Sequence, residues 1–379
     1  MLFQVPKLDA NDARVLAEIE ACYEDLRQAT DGDPAKHRWE GHLRQQLVAG
    51  AVQGSNSIES YKVSLDTATA IVADGPVPAD VPDETREAVA GYRDALSWVL
   101  QTPAMEYFTH HEMVLSALHF MMLRSRPAQW PGRYRDGGIM VAGDDPMNPA
   151  YVGPDPDQVR PLMVELVDWL NDGDPDAPPL VRAAMAHVNL VRIHPWRDGN
   201  GRMSRCLQTL VLARAGVLAA EFCSIEEWLG RELNTLHYYA ELRKTGGTYD
   251  ATRDAHDWVR FNLRAHHQQA HLVRLRLERA RRTWEDLTAL VKRLGLPERT
   301  VSALHTGTLG RLRREAYQQD EGLSRDQAIR DIRRLEAEGL LDSYGYGVTL
   351  YYVAAGRARD VDDAVVDDLR TPATEPYRT

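Results

Sequence analysis

Apolar residues recur at three- and four-residue intervals through most of the chain. Val15, Ile19, Cys22, Tyr23 and Leu26 follow the polar start Asp9-Ala10-Asn11-Asp12, and Leu43, Leu47 and Val48 keep the same period, so each stretch lays one apolar stripe along a helix. The spacing predicts further helices over 87–101, 108–125, 157–171, 179–193, 201–216, 226–243 and 254–290. One interval breaks the pattern. Ile139-Met140-Val141 and Ala150-Tyr151-Val152 bracket the turn-rich Gly143-Asp144-Asp145-Pro146-Met147-Asn148-Pro149, which predicts an extended hairpin, or flap, over 139–152. Further on, 309–317 and 324–338 read as two helices separated by Gly322, with Ser324 and Gln327 at capping-box spacing, and 343–353 reads as a small hairpin. From about 357 the chain is Asp-rich and runs into Thr371-Pro372-Ala373-Thr374-Glu375-Pro376, the composition of a frayed acidic tail. The expected fold is mainly α with a short β-hairpin.

Composition narrows the function classes. The 379 residues give room for two or three domains, and 44% hydrophobic residues with 20 Pro and 26 Gly mark a globular chain. No apolar run approaches the roughly 20 residues of a membrane span, and MLFQVPKLDANDAR lacks the charged start and apolar centre of a signal peptide, so no membrane partner and a cytoplasmic location are expected. Cys22, Cys206 and Cys223 have neither metal-ligand spacing nor an even count, which predicts buried, reduced thiols rather than a zinc or disulfide framework. The net charge of −11 argues against a whole-surface nucleic-acid binder but leaves room for a local basic patch.

The chemistry concentrates in His194-Pro195-Trp196-Arg197-Asp198-Gly199-Asn200-Gly201-Arg202-Met203-Ser204-Arg205. Gly199 and Gly201 let backbone N–H groups approach a phosphate closely. Met203, Leu207, Leu210 and Val211 then repeat at helical spacing up to Gly216, so the loop feeds a helix N-terminus, where an anion is favoured. Arg202 and Arg205, three apart, share one helix face and present two guanidinium forks to successive phosphates. His194 is the residue type suited to take a proton near neutral pH. Asp198 offers a hard oxygen ligand of the kind Mg²⁺ takes beside substrate phosphates. The alternative for each part alone is structural: His-Pro as a helix-entry turn, Asp-Gly-Asn-Gly as a plain loop.

Together these residues resemble the signature of the Fic family, His-Pro-Phe-x-(Asp/Glu)-Gly-Asn-Gly-Arg-x-x-Arg, with Trp196 in place of Phe. Pro131-Gly132-Arg133-Tyr134-Arg135 before the flap, Tyr151 to Pro156 after it, and Asn234 with Tyr238-Tyr239-Ala240-Glu241-Leu242 extend the likeness over roughly 45–265. The resemblance implies a Fic helical core and a protein adenylyltransferase. ATP and Mg²⁺ are its co-substrate and metal, and AMP goes to a Ser, Thr or Tyr hydroxyl of a target protein, the chain itself included. In that reading His194 is the base and Asp198 the Mg²⁺ ligand. Asn200 and the N–H groups around Gly199 and Gly201 hold the α-phosphate, while Arg202 and Arg205 follow the β- and γ-phosphates. Tyr238 and Tyr239 resemble adenosine-side tyrosines, the alternative being a core pair with hydroxyls at the surface. The flap would dock a target segment by strand addition.

Ser55-Asn56-Ser57-Ile58-Glu59-Ser60 resembles the inhibitory (Ser/Thr)-x-x-x-Glu-(Gly/Asn) helix of some Fic proteins, departing at Ser60. The resemblance implies that Glu59 pairs with Arg205 and occupies the γ-phosphate position, the alternative being an exposed helical Glu. The C-terminal helices and hairpin resemble a winged helix-turn-helix, and 271–340 holds 15 Lys/Arg against 11 Asp/Glu. Arg325, Arg330, Arg333 and Arg334 would meet DNA phosphates, unless they pair with Asp326, Asp331 and Glu336 and the module serves docking or a homodimer. The expected organisation is 1–100 N-terminal helices with the inhibitory motif, 101–265 Fic core, 266–300 linker helix, 301–356 winged helix and 357–379 tail. Three other functions stay open: a nucleotide-sensing transcriptional regulator, Fic-type transfer of another phosphate-containing group, and AMP removal.

Overall fold

The computed structural model describes residues 1–30, 38–143, 149–369 and 374–377. The turn of the flap, 144–148, and 371–373 of the tail lie outside the described residues. Four helices come first: α1 (Ala10–Thr30), α2 (Arg38–Ile58), α3 (Leu65–Val72) and α4 (Asp83–Val99). Then come α5 (Glu112–Leu123), the flap strands β1 (Met140–Val141) and β2 (Tyr151–Val152), α6 (Pro156–Asp172), α7 (Pro179–Ile193) and α8 (Asn200–Ala215). Two short helices, α9 (Ala220–Cys223) and α10 (Glu226–Leu229), lead to α11 (Glu232–Lys244) and the long α12 (His256–Arg293). The chain ends in α13 (Thr300–Leu309), α14 (Arg314–Asp320), α15 (Arg325–Ala337), β3 (Leu341–Tyr344), β4 (Tyr351–Ala354) and α16 (Gly356–Asp368).

The architecture is mainly α, as the periodicity predicts. α7 and α8 are central: Ala183, Ala184, Met185, Ala186, Val188 and Leu190 of α7 and Met203, Cys206, Leu207 and Leu210 of α8 are buried on nearly every side. One apolar core runs from Leu2 to Ala280, and a second, from Leu287 to Ala358, lies under the C-terminal helices and hairpin. α12 passes through both, so the expected boundary at 265/266 falls inside one continuous helix. All three cysteines are buried and free. Among the described residues no helix is long and apolar enough to cross a membrane.

Three expectations are corrected. The helix expected over 226–243 is two, because the chain at Gly230 meets Gly54 of α2 backbone to backbone. A Cβ on Gly54 would stand 2.2 Å from Glu226 O, an approach open only to glycine. The stretch 309–317 is not one helix. Leu312 exchanges backbone hydrogen bonds of 2.9 and 2.8 Å with Tyr352, and this long-range pairing overrides local helical propensity. The acidic stretch after 356 does not fray. It forms α16, whose Asp362 accepts both arms of Arg279 at 2.9 and 2.6 Å, so α12 supplies positive charge to the acidic helix.

The C-terminal module is docked on α2 and α3. His305 donates from Nε2 to Ala280 O at 3.2 Å, which leaves its Nδ1 to accept from His42 Nδ1 of α2 at 2.9 Å, and Arg311 pairs with Asp66 of α3 at 2.8 Å.

Candidate active site

The site is built where α7 hands over to α8. Pro195 cannot continue α7, and His194 caps it in the left-handed region (φ 51°, ψ 57°), its N–H donating to Leu190 O at 3.0 Å. The His194 ring folds back so that Nδ1 lies 3.0 Å from Val191 O. A carbonyl can only accept, so Nδ1 carries the proton and Nε2 keeps its lone pair. Burial pushes the pKa of His194 down to about 4, against the Val191 hydrogen bond, and the imidazole is neutral at physiological pH. Arg135 pins the turn from below. Its Nε donates to His194 O at 2.8 Å, its Nη2 to Pro154 O at 2.6 Å, and its N–H to Pro195 O at 2.9 Å.

Trp196 faces inward, fully buried, and stacks on His119 with ring centroids 4.5 Å apart and planes 7° from parallel. His119 accepts from Gly132 N–H at 2.8 Å and donates from Nε2 to Asp198 O at 3.0 Å, fixing the far side of the loop. Asn200 departs from its expected role. Its amide accepts from Trp196 N–H at 3.0 Å and donates to Trp196 O at 2.9 Å, so the side chain is used in closing the loop. What Asn200 offers a ligand is its backbone N–H, one of the first-turn donors of α8 that have no helical acceptor.

Gly199 precedes α8 at φ 78° and donates to Asp198 Oδ1 at 2.7 Å. One turn on, Arg202 and Arg205 are buried side by side. Among the described residues Arg202 Nε and Nη1 and Arg205 Nη1 have no hydrogen-bond partner, so the site holds guanidinium nitrogens that are buried and unmatched by those residues. Arg205 is met by α2: Nε donates to Ser55 Oγ at 2.8 Å, and Nη2 to Ser55 O at 3.0 Å and Glu59 Oε1 at 2.8 Å. Ser55 near the end of α2 and Glu59 in the turn after it hold the same fork. The carboxylate reaches the start of α8 because Gly201 has no side chain; a Cβ there would stand 2.2 Å from Glu59 Oε1.

Asp198 also carries a second bond, accepting on Oδ2 from Arg126 at 2.9 Å. Among the described residues no group of three or more His, Cys, Asp or Glu side chains is arranged to hold a metal ion, and the loop supplies one carboxylate. That donor set fits Mg²⁺, which completes its shell with substrate phosphate and water rather than protein.

Residues 107–212 match the Fic/DOC family. The chain carries a Fic/DOC domain. Over 164 residues it is 31% identical to protein adenylyltransferase fic-1 of Caenorhabditis briggsae, covering 42% of this chain and 31% of that protein. Over 166 residues it is 34% identical to protein adenylyltransferase Fic of Nematostella vectensis, covering 43% and 36%. The chain spans about a third of the length of these curated relatives. In fold it is similar to a Fic family protein from Desulfovibrio desulfuricans, with a TM-score of 0.60 at 22% identity over 93% of this chain and 98% of that one.

The two tyrosines of α11 part company. Tyr238 is a core residue, 1% exposed, with its hydroxyl 3.0 Å from His187 Nε2, so it has no face for a nucleotide and no hydroxyl at the surface. Tyr239 is 38% exposed and donates to Ile58 O at 3.2 Å, which sets it beside the end of α2. Sequence reasoning missed Arg126 and Tyr61, both at the mouth of the site, because no periodicity or motif marks them.

Glu59 lies in the turn just beyond α2. Ser60 N–H donates to Ser57 O at 3.1 Å and Tyr61 N–H to Asn56 O at 3.0 Å, the pair of bonds that ends a helix when the residue between is left-handed. Ser60 has φ 69°. This position suits Gly or Asn, the residues of the family pattern, and Ser60 bears a steric cost there. Ser60→Gly should therefore stabilise the protein by about 0.5–1 kcal/mol and hold Glu59 more firmly. Urea unfolding checks it; a loss of stability would mean that the turn is not strained.

Proposed function

We propose that the Fic domain transfers AMP from ATP to a protein hydroxyl, and that Glu59 keeps this activity low. The observation that carries the reading is the placing of a neutral, Nε2-basic His194 and two buried arginines with unpartnered nitrogens on one loop and helix start. The curated relatives named as protein adenylyltransferases support it. In the step, the target hydroxyl oxygen bonds to the α-phosphorus, its proton passes to His194 Nε2, and the bond to the leaving pyrophosphate breaks. The first-turn N–H groups of α8 receive charge on the α-phosphate, and Arg202 and Arg205 receive the departing phosphates. Mg²⁺ on Asp198, when bound, offsets charge on the pyrophosphate.

The flap supports a docking role, since β1 is the open outer strand with Met140 exposed while β2 is tied to Gly247 by Val152 N–H at 2.8 Å. The deciding experiment weighs intact wild-type and Glu59→Gly protein after incubation with Mg²⁺ and, in turn, ATP, UTP, CTP and GTP. One added AMP with ATP supports the reading; addition from another nucleotide alone, or none from any in the variant, overturns it.

A winged-helix role for α13–α16 and the β3–β4 hairpin is supported by the capped α15, whose Ser324–Gln327 box is formed, and by exposed Arg325, Arg330 and Arg333. Asp331, expected to pair within α15, instead takes Arg299 at 2.7 Å. If the module binds DNA through phosphates, affinity should fall steeply with salt, and replacing these three arginines with glutamine should flatten the slope by about 3. Salt-independent binding, or none at low salt, would remove DNA as the partner.

A further inference from the structure

Arg126 joins two parts of the site through one nitrogen and faces a third group with another. Its Nη1 donates to Tyr61 OH at 2.6 Å and to Asp198 Oδ2 at 2.9 Å, while its Nη2 stands 3.6 Å from Glu84. Tyr61 lies against Arg202, with the guanidinium carbon 5.1 Å from the ring centroid. The short span after α2 thus meets both arginines of the loop, Glu59 taking Arg205 and Tyr61 covering Arg202. The one loop carboxylate suited to a cation is already paired with Arg126.

The geometry points to a second latch, in which Arg126 ties Tyr61 to Asp198 and divalent-cation binding at Asp198 releases the segment from Arg202. The inference rests on Asp198 being the cation ligand. A guanidinium and a divalent cation compete for the same carboxylate oxygen, and the cation, held also by phosphate, carries the larger charge. Arg126 has somewhere to go. Its backbone is fixed by its own N–H to Leu123 O at 2.8 Å and by Gln129 N–H to its carbonyl at 2.9 Å. The guanidinium therefore moves by side-chain torsions, away from Asp198 and toward exposed Glu84. Tyr61 then loses its charged donor, and the segment is left to the turn bonds at Ser60, Tyr61 and Lys62 and to the Gln53 amide, which donates to Val63 O at 2.9 Å. Arg126 is a positioning residue in this scheme and touches no reacting atom.

Hydrogen exchange at the Tyr61 to Val63 amides reads the latch directly, because the Tyr61 N–H is held by Asn56 O. The probes are α,β-methylene-ATP alone and with Mn²⁺, applied to wild type, Arg126→Gln and Tyr61→Phe, the last keeping the ring on Arg202. In wild type, Mn²⁺ with the analogue should speed exchange about tenfold over the analogue alone, the loss of one hydrogen bond from a charged donor. Both variants should exchange fast without Mn²⁺ and respond little to it. Exchange in both variants that matches wild type, with and without Mn²⁺, would overturn the latch and leave Arg126 an ordinary ion pair. Calorimetry on Glu59→Gly separates the two ideas. If the analogue does not bind with or without Mn²⁺, the functional reading falls and the latch with it. Mn²⁺-strengthened binding with metal-independent exchange overturns the latch alone.

Discussion

Replacing His194 with alanine should lower transfer by about 10²–10⁴-fold while leaving nucleotide affinity unchanged, the loss expected when a general base is removed from a site that binds through other groups. The separation is structural. His194 Nδ1 is engaged with Val191 O, and the side chain holds no part of the loop; Arg135 holds the backbone on either side through His194 O and Pro195 O. Folding should therefore survive. The pH dependence gives an independent check. Burial depresses the pKa of His194 to about 4, so the basic form persists well below the 6.5 of a free imidazole and is lost only as pH falls through about 4. In Glu59→Gly protein the rate should be nearly flat from neutrality down to about pH 5, fall to half near pH 4, and approach a tenfold loss per unit below that. A normal rate in His194→Ala, measured where wild type is active, would remove His194 as the base.

Glu59→Gly should raise self-modification by about 10–100-fold, the range set by one charge-assisted hydrogen bond to a guanidinium. Glu59 Oε1 lies 2.8 Å from Arg205 Nη2 at the start of α8, the position that the proposed function gives to an anionic phosphate. Carboxylate and phosphate cannot both have it. A nucleotide bound beside Glu59 is then held without that contact, and its α-phosphorus is poorly aligned for attack. Arg205 is wholly buried, so removing its carboxylate leaves positive charge matched only by Ser55, at a cost of about 1–2 kcal/mol after allowing for the partial exposure of Glu59. ATP should restore more of that loss in the variant than in wild type. Intact mass against time and melting curves with and without Mg-ATP measure both effects. An unchanged rate in folded variant protein would make the Glu59–Arg205 pair a structural contact and nothing more.

Much of this site was legible in the chain. His194, Asp198, the two glycines and the two arginines are neighbours in sequence, so a loop entering a helix brings them together by local geometry alone. Ser55 and Glu59 stood out in the chain through the resemblance of 55–60 to an inhibitory helix. Their target was legible only through family resemblance. Asn200 shows the limit of reading a side chain by type: an amide is equally suited to phosphate and to backbone, and the four-residue return to Trp196 decided for backbone. Tyr238 shows another. Its place on α11 does not tell which way that short helix faces, and packing against His187 and Trp258 turned the ring into the core.

Sequence by itself determined the helical architecture, the glycine-rich loop that enters α8 and the residue types it carries, because these follow from periodicity and from contacts within a few positions. Tertiary structure alone decided what lies across the cradle. The meeting of α2 with α10 depends on Gly54, and that of the turn after α2 with α8 on Gly201, whose missing side chains admit Glu226 and Glu59 from segments more than 140 positions apart. The pairing of Arg126 with Asp198 and Tyr61 depends on three separate turns arriving at one point. No local preference encodes such contacts, since each residue alone is an ordinary surface side chain, and only the packing of the helices makes them neighbours.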